Sequence, residues 1–183
     1  MNRRLVAALA AVAVLSLAGC GSSTPTTVGS PKPAATTSVA ATVPAPDASA
    51  LATQLKTHVP SVTKVATITE NNDQNNLIGR PNGYVSAAVL YDSGTNCDVS
   101  GLGVDCGATI EVWPTEQAAT TRAAYIQGIL SGGGMGSEWD FVKGGALLRV
   151  TGTLKPSAAG LYGANFGGRQ INQSVPSSPS SSH

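Results

Sequence analysis

The sequence predicts an α+β domain: one antiparallel sheet of about five strands, with helices packed mainly on one face. Three observations predict it. Apolar residues alternate at a period of two around 84–91 and 108–113, and β-branched or leucine-rich runs occur at 62–69 and 146–151. Between them, "TEQAATTRAAYIQGIL" carries apolar residues at helical spacing. The strands come in runs joined by turn residues, which favours antiparallel pairing with helices laid over the sheet.

The elements follow in the order α-β-β-β-α-β-β-α. Asp47 or Ser49 can cap a first helix whose Leu51, Leu55 and Val59 recur every four residues, and Pro60 ends it. Val62 to Thr69 is a strand rich in β-branched residues. The polar segment "NNDQNNLIGRPNGY" is too long for a tight hairpin; Leu77 and Ile78 are its apolar plug. Tyr84 to Tyr91 alternates, with Val85, Ala87, Val89 and Tyr91 on one side. In the next strand Ala108, Ile110 and Val112 face one way and Thr109, Glu111 and Trp113 the other. Pro114 closes it. Thr115 caps a helix with a buried stripe of Ala119, Ala123, Ile126 and Leu130, which "SGGGMGS" stops. Trp139 to Val142 pairs through Gly144 and Gly145 with Ala146 to Thr151. Pro156 opens a last helix carrying Leu161, Tyr162 and Phe166.

This domain occupies 47–173, and the sequence around it has a different character. Residues 1–19 read as a lipoprotein signal peptide: Arg3 and Arg4, an apolar run from Leu5 to Ala18 broken by Ser16, then small residues. The run is shorter than the roughly 20 residues needed to span a bilayer. Leu17-Ala18-Gly19-Cys20 resembles the lipobox of bacterial lipoproteins. That resemblance implies cleavage before Cys20 and attachment of diacylglycerol to its thiol, with palmitate-type chains holding the protein on a membrane. Each buried methylene of such a chain contributes about 0.8 kcal/mol. Residues 20–46 then form a Ser/Thr/Pro/Ala tether with one charge, Lys32, and 174–183 a Ser/Pro tail. Neither carries enough apolar surface to offset chain entropy, so both are expected to be disordered.

Composition narrows the function classes. The chain has 11 Lys and Arg against 10 acids, and loss of Arg3 and Arg4 with the signal leaves 9 against 10. Only 11% of residues are charged, which gives no basic surface for nucleic acid. With Cys20 set aside, Cys97 and Cys106 remain, close together in an exported chain, and are expected to form a disulfide. Closing so short a loop contributes roughly 2.5–3 kcal/mol on the chain-entropy model.

Three stretches carry a family resemblance: "NNLIGRPNGYVSAAVLYD", "ATIEVWPTEQAATTRAAYI" and "GALLRVTGTLKPSAAGLYGANF". They resemble small uncharacterised lipoproteins and secreted proteins of actinobacterial type, with a lipobox signal peptide and one extracytoplasmic α+β domain. The resemblance covers most of Asn75 to Phe166. The chain departs from the group's pattern in its Cys97–Cys106 loop, and in Lys155 where threonine usually caps the last helix. The resemblance supports an address and a domain; it implies no activity, ligand or catalytic residue.

The residues themselves offer few catalytic constellations. His58 sits at a helix end, where a histidine ordinarily interacts with the C-terminal carbonyls. Gly132-Gly133-Gly134-Met135-Gly136-Ser137 lacks the Gly-Lys-Ser/Thr of a phosphate loop. Asn71, Asp73 and Asn75 have calcium-loop spacing, but Asn76 stands where glycine is required and Asn82 where glutamate is. Glu138 and Asp140 share a strand face, with Trp139 on the other as core or rim. No catalytic residue, metal or cofactor is therefore assigned. Arg80, with Asn76 and Tyr84, is the candidate ligand-binding rim, because a turn fixed by Gly79, Pro81 and Gly83 would present it; a loop clamp is the plainer role for Arg80. The expected function is a lipid-anchored, extracytoplasmic, non-enzymatic domain that binds a ligand, an envelope protein or a cell-wall partner at the cell membrane. A cell-wall hydrolase and a carrier of an apolar molecule are the alternatives.

Overall fold

The computed structural model describes residues 46–171, apart from 99, 134 and 135. The residues expected to form the signal peptide, the lipidated Cys20, the tether up to 45 and the tail lie outside the described residues. The elements are α1 (Ala48–His58), β1 (Val62–Ile68), β2 (Ser86–Asp92), a 3-10 turn (Val104–Cys106), β3 (Gly107–Val112), α2 (Glu116–Ser131), β4 (Glu138–Lys143), β5 (Ala146–Thr151), α3 (Pro156–Phe166) and β6 (Arg169–Ile171).

Caps set the helix starts. The Asp47 carboxylate accepts from the Ala50 amide at 3.0 Å and the Thr115 hydroxyl from the Ala118 amide at 3.1 Å. Each such cap is worth about 1 kcal/mol. Lys155 makes no side-chain cap, and Pro156 at the first helical position starts α3 instead. At the far end of α3 the Lys143 ammonium donates to the Phe166 carbonyl at 3.2 Å.

All strand pairings are antiparallel, in the order β1-β2-β3-β5-β4-β6. The sheet thus has six strands where about five are expected. The additional one, β6, is three residues long and has no alternation to read. It forms because Gly167 turns the chain back in the left-handed region (φ 70°), which sets Arg169 opposite Val142 and Ile171 opposite Asp140.

The helices do not lie mainly on one face. α1 and α3 cover one side, where Ala52, Leu55, Ala159, Tyr162 and Phe166 pack on Ala88, Leu90, Ile110, Leu148 and Val150. α2 covers the other, where Ala119, Ala123 and Ile126 pack with Val89, Trp113, Val142 and Leu147. Chain chirality explains the division. β3 and β4 are parallel, with β5 between them, and α2 joins them; β5 and β6 are parallel, with β4 between them, and α3 joins them. Both crossovers move the same way across the sheet, from strands that run in opposite directions. Two crossovers of one hand must then place their helices on opposite faces, as the preference for a single hand requires.

Two residues differ from their expected positions. Leu161 is 42% exposed, because Ala159, Tyr162, Gly163 and Phe166 are the residues of α3 turned to the sheet. Val85 precedes β2 and is exposed. The stripe of α2 is as expected at Ala119, Ala123 and Ile126, with Leu130 half-buried and Gln127 buried in addition.

Two glycines of α3 separate packing from helix propensity. A Cβ at Gly163 would lie 2.4 Å from Cε1 of Phe141, whereas one at Gly160 would meet nothing within 4 Å. We expect Gly163→Ala to destabilise by about 1–3 kcal/mol through overpacking. Gly160→Ala is expected to stabilise by about 0.5–1 kcal/mol through propensity. Urea denaturation of the two variants checks both signs.

Candidate functional site

The loop 69–85 is built around one carboxylate. Oδ2 of Asp73 accepts from the amides of Leu77 (2.6 Å) and Ile78 (2.9 Å). Oδ1 accepts from the Asn75 amide at 3.0 Å and from the Tyr84 hydroxyl. Burial pulls the Asp73 carboxyl upward, but the bonds from Tyr84, Ile78, Leu77 and Asn75 outweigh it and hold the group below its ordinary 3.8. The brace is therefore complete at neutral pH and weakens as pH falls below 3.8. Gly83 packs beneath it: a Cβ there would stand 1.9 Å from the Leu77 carbonyl oxygen. Leu77 and Ile78 are half-buried against the α2-side core, as the apolar plug expected of them. Asp73, the first acid of the calcium-like spacing, thus spends both oxygens on the loop itself.

The three rim residues separate. Asn76 and Arg80 lie together on the surface, Asn76 at positive φ (53°). Oδ1 of Asn76 accepts from Nε (3.2 Å) and Nη2 (2.7 Å) of Arg80. Arg80 is thus held by a side-chain amide and stays exposed. Tyr84 is 1% exposed and stands under the loop as a post. Its ring meets Trp113 edge-on, with centroids 5.6 Å apart at 82°. Burial, with the Asp73 bond, raises its hydroxyl pKa well above the usual 10.

A second constellation lies beneath α2. β3, β4 and β5 turn Glu111, Glu138, Asp140 and Arg149 to this face. Arg149 donates from Nε and Nη2 to Glu138, both at 2.8 Å, and from Nη1 to Glu111 at 3.0 Å. From α2, Nε of Arg122 reaches Glu111 at 3.3 Å, and Nε2 of Gln127 reaches Oδ2 of Asp140 at 2.9 Å. Nε1 of Trp113 donates to Glu111 at 3.2 Å. Burial alone would lower the Arg149 pKa, but the Glu138 bond and the two acids outweigh it and raise it above its ordinary value. Glu138 and Asp140 share a face as the alternation predicts, and half-buried Trp139 packs on the α1–α3 side. The sequence reading missed that this face is covered, and so missed Glu111, Arg122, Gln127 and Arg149 as its partners.

Cys97 and Cys106 form the expected disulfide. The loop they close is tied down by the Tyr91 hydroxyl, which donates to the Gly101 carbonyl, and by the Thr95 hydroxyl, which reaches the Cys106 carbonyl at 2.9 Å. Two clefts meet at Asp92 and Ser93. One, of about 270 Å³, runs past the disulfide, Lys64 and Tyr91; the other, of about 360 Å³, runs past Ser61, Thr153 and Lys155. Asp92 is committed between them: Oδ2 accepts from Ser61 (2.6 Å) and Tyr162 (2.8 Å), and Oδ1 from the Gly94 amide (2.8 Å). His58 is exposed at the end of α1, its Nδ1 3.1 Å from the Gln54 carbonyl.

No family model, no curated protein and no solved structure matches the chain.

Arg149 can be tested directly. Arg149→Met leaves Glu111, Glu138 and Asp140 buried with Arg122 alone. A loss of about 3–5 kcal/mol is expected, the cost of removing one partner from a buried ionic group. Glu138→Gln keeps a hydrogen-bonding side chain beside Arg149 and should cost less. Chemical denaturation of both variants gives the comparison.

Proposed function

We propose that the protein is a cell-envelope lipoprotein, held at the extracytoplasmic face of the cell membrane by lipid on Cys20. Its folded domain is a non-enzymatic binding module for an envelope or cell-wall partner. The observation that carries the binding reading is the brace under the 69–85 loop. Four donors on the Asp73 carboxylate, with Tyr84 as a post, hold an exposed Arg80 on a prepared surface. A prepared surface binds with little ordering cost. Arg80, fixed through Asn76, has the geometry to meet a carboxylate or phosphate. The Cys97–Cys106 disulfide supports the address, since such bonds persist in oxidising compartments. The Leu17-Ala18-Gly19-Cys20 box supports the anchor.

The rival readings have less behind them. The acid pair Glu138 and Asp140 lies under α2, engaged by Arg149 and Gln127, and not across a cleft as a hydrolase would need. Both described clefts are open to solvent and include Asp92 and a lysine in their lining, whereas an apolar cargo needs an enclosed cavity.

Two measurements test the proposal in cells. Cys20→Ser should move the protein from the detergent phase to the aqueous phase; unchanged partitioning refutes the anchor. Arg80→Ala should change stability by no more than roughly 0.5 kcal/mol, as for an ordinary surface residue. It should also reduce partner capture by proximity crosslinking. If stability and capture fall in proportion, Arg80 is a clamp only; if neither changes, the loop is not the binding surface.

A further inference from the structure

The cluster beneath α2 contains one acid too many. Three carboxylates, Glu111, Glu138 and Asp140, face two guanidiniums, Arg149 and Arg122. The four bonds those guanidiniums make here go to Glu111 and Glu138. Among the described residues, Asp140 receives only the Gln127 amide on Oδ2, and its Oδ1 has no hydrogen-bond partner. Asp140 is also fully buried, at 0% exposure. A buried carboxylate without a cationic partner is costly, and the simplest relief is to bind a proton.

We propose that this cluster is a pH-responsive latch: a proton on Asp140 seals α2 against the sheet, and its loss loosens the helix. Gln127 gives the site its mechanical meaning. It is the residue through which α2 touches Asp140, and the same Nε2 also reaches the Glu138 carbonyl at 3.1 Å. The helix therefore closes directly over the acid, and ionised Asp140 recovers water only if the helix lifts.

The surroundings of Asp140 are otherwise fixed. β3 contributes Glu111, its own strand Glu138, and β5 Arg149. β6 places apolar Ile171 opposite, with exposed Arg169 two residues away. α2 contributes Arg122, and its other charge, Glu116, is exposed in the first turn. Burial pushes the Asp140 carboxyl up to about 7; Glu138 and Glu111 add to the rise, while the Gln127 bond and Arg149 oppose it. The folded value lies above the ordinary 3.8, so the folded protein holds a proton that the unfolded chain has released. Its contribution to stability is complete below 3.8 and is lost as pH rises through about 7.

The experiment compares wild type, Asp140→Asn and His58→Gln at pH 6 and pH 8. His58 is the control because it is the histidine among the described residues and lies exposed at the end of α1. For wild type, linkage gives about a tenfold loss of α2 amide protection at pH 8, after correction for intrinsic exchange rates. The Tm should fall by roughly 4 °C. Asp140→Asn, which mimics the protonated acid, should lose this pH dependence, and His58→Gln should keep it. Equal protection of α2 at the two pH values in wild type overturns the proposal, as does an Asp140→Asn variant with the wild-type profile. Should that variant fail to fold, the carboxyl carbon shift of Asp140 in wild type decides: titration near neutral pH supports the latch, and a flat shift from pH 5 to 8 overturns it.

Discussion

Arg149 occupies the position on which the α2 side of the molecule depends. It sits between Leu148 and Val150 on β5, a strand with neighbours on both sides, and its guanidinium reaches acids on each of them: Glu111 on β3 and Glu138 on β4. Buried ion pairs are poor sources of net stability, because desolvation consumes most of the Coulomb gain. Their value here is in register. A one-residue slip of β5 would turn Arg149 into the α1–α3 core and bring Leu148 and Val150 beneath the acids. Small apolar side chains such as Ala87, Ala88, Ala108 and Ala146 would resist such a slip only weakly. The three-strand ionic bridge makes the alternative register expensive.

The same bridge connects parts that are distant in sequence. Glu111 accepts from Arg149 and Arg122 and also from the indole of Trp113. Trp113 meets the ring of Tyr84, and the Tyr84 hydroxyl closes on Asp73 under the 69–85 loop. One contiguous path of ring contact and hydrogen bonds therefore runs from the displayed loop to the acids under α2. The loop is positioned by the sheet through this path, and not by its own backbone alone.

Most of the architecture was legible in the sequence because its signals are local. Alternation placed Glu138 with Asp140 and set Ala108, Ile110 and Val112 apart from Thr109, Glu111 and Trp113. Capping chemistry located Asp47, Thr115 and Pro156, and turn residues located the plug of Leu77 and Ile78. What was not legible depends on pairing across the sheet. No local pattern shows that β5 inserts between β3 and β4, yet that insertion brings Arg149 to its two acids. The opposite placement of α2 and α3 likewise follows from strand direction and crossover hand, which appear only once the order β3-β5-β4-β6 is known. The expectation of helices mainly on one face provides no cover for the side that carries Glu111 and Arg149; α2 covers that side. Tyr84 was assigned to a rim for a similar reason, its position in a polar loop, although its ring belongs to the core.

The sparse aromatic content shows how a chain rich in alanine and glycine specifies one structure. It has only two Trp and four Tyr. Four of the six bury the ring and use the polar end to fasten something outside the regular elements or between them. Tyr84 holds the 69–85 loop through Asp73, and Tyr91 holds the disulfide loop through the Gly101 carbonyl. Trp113 joins Glu111, and Tyr162 ties α3 to the end of β2 through Asp92. Small side chains allow helices to approach a sheet closely, but they interlock poorly and leave many near-equivalent placements. A ring that fills space and also ends in a directed hydrogen bond removes that freedom, because sliding the segment breaks the bond inside a low-dielectric interior, where an unmade bond is most costly. The apolar residues of this domain supply the cohesion. Its few amphipathic rings and the bridge at Arg149 select which of the cohesive arrangements is the folded one.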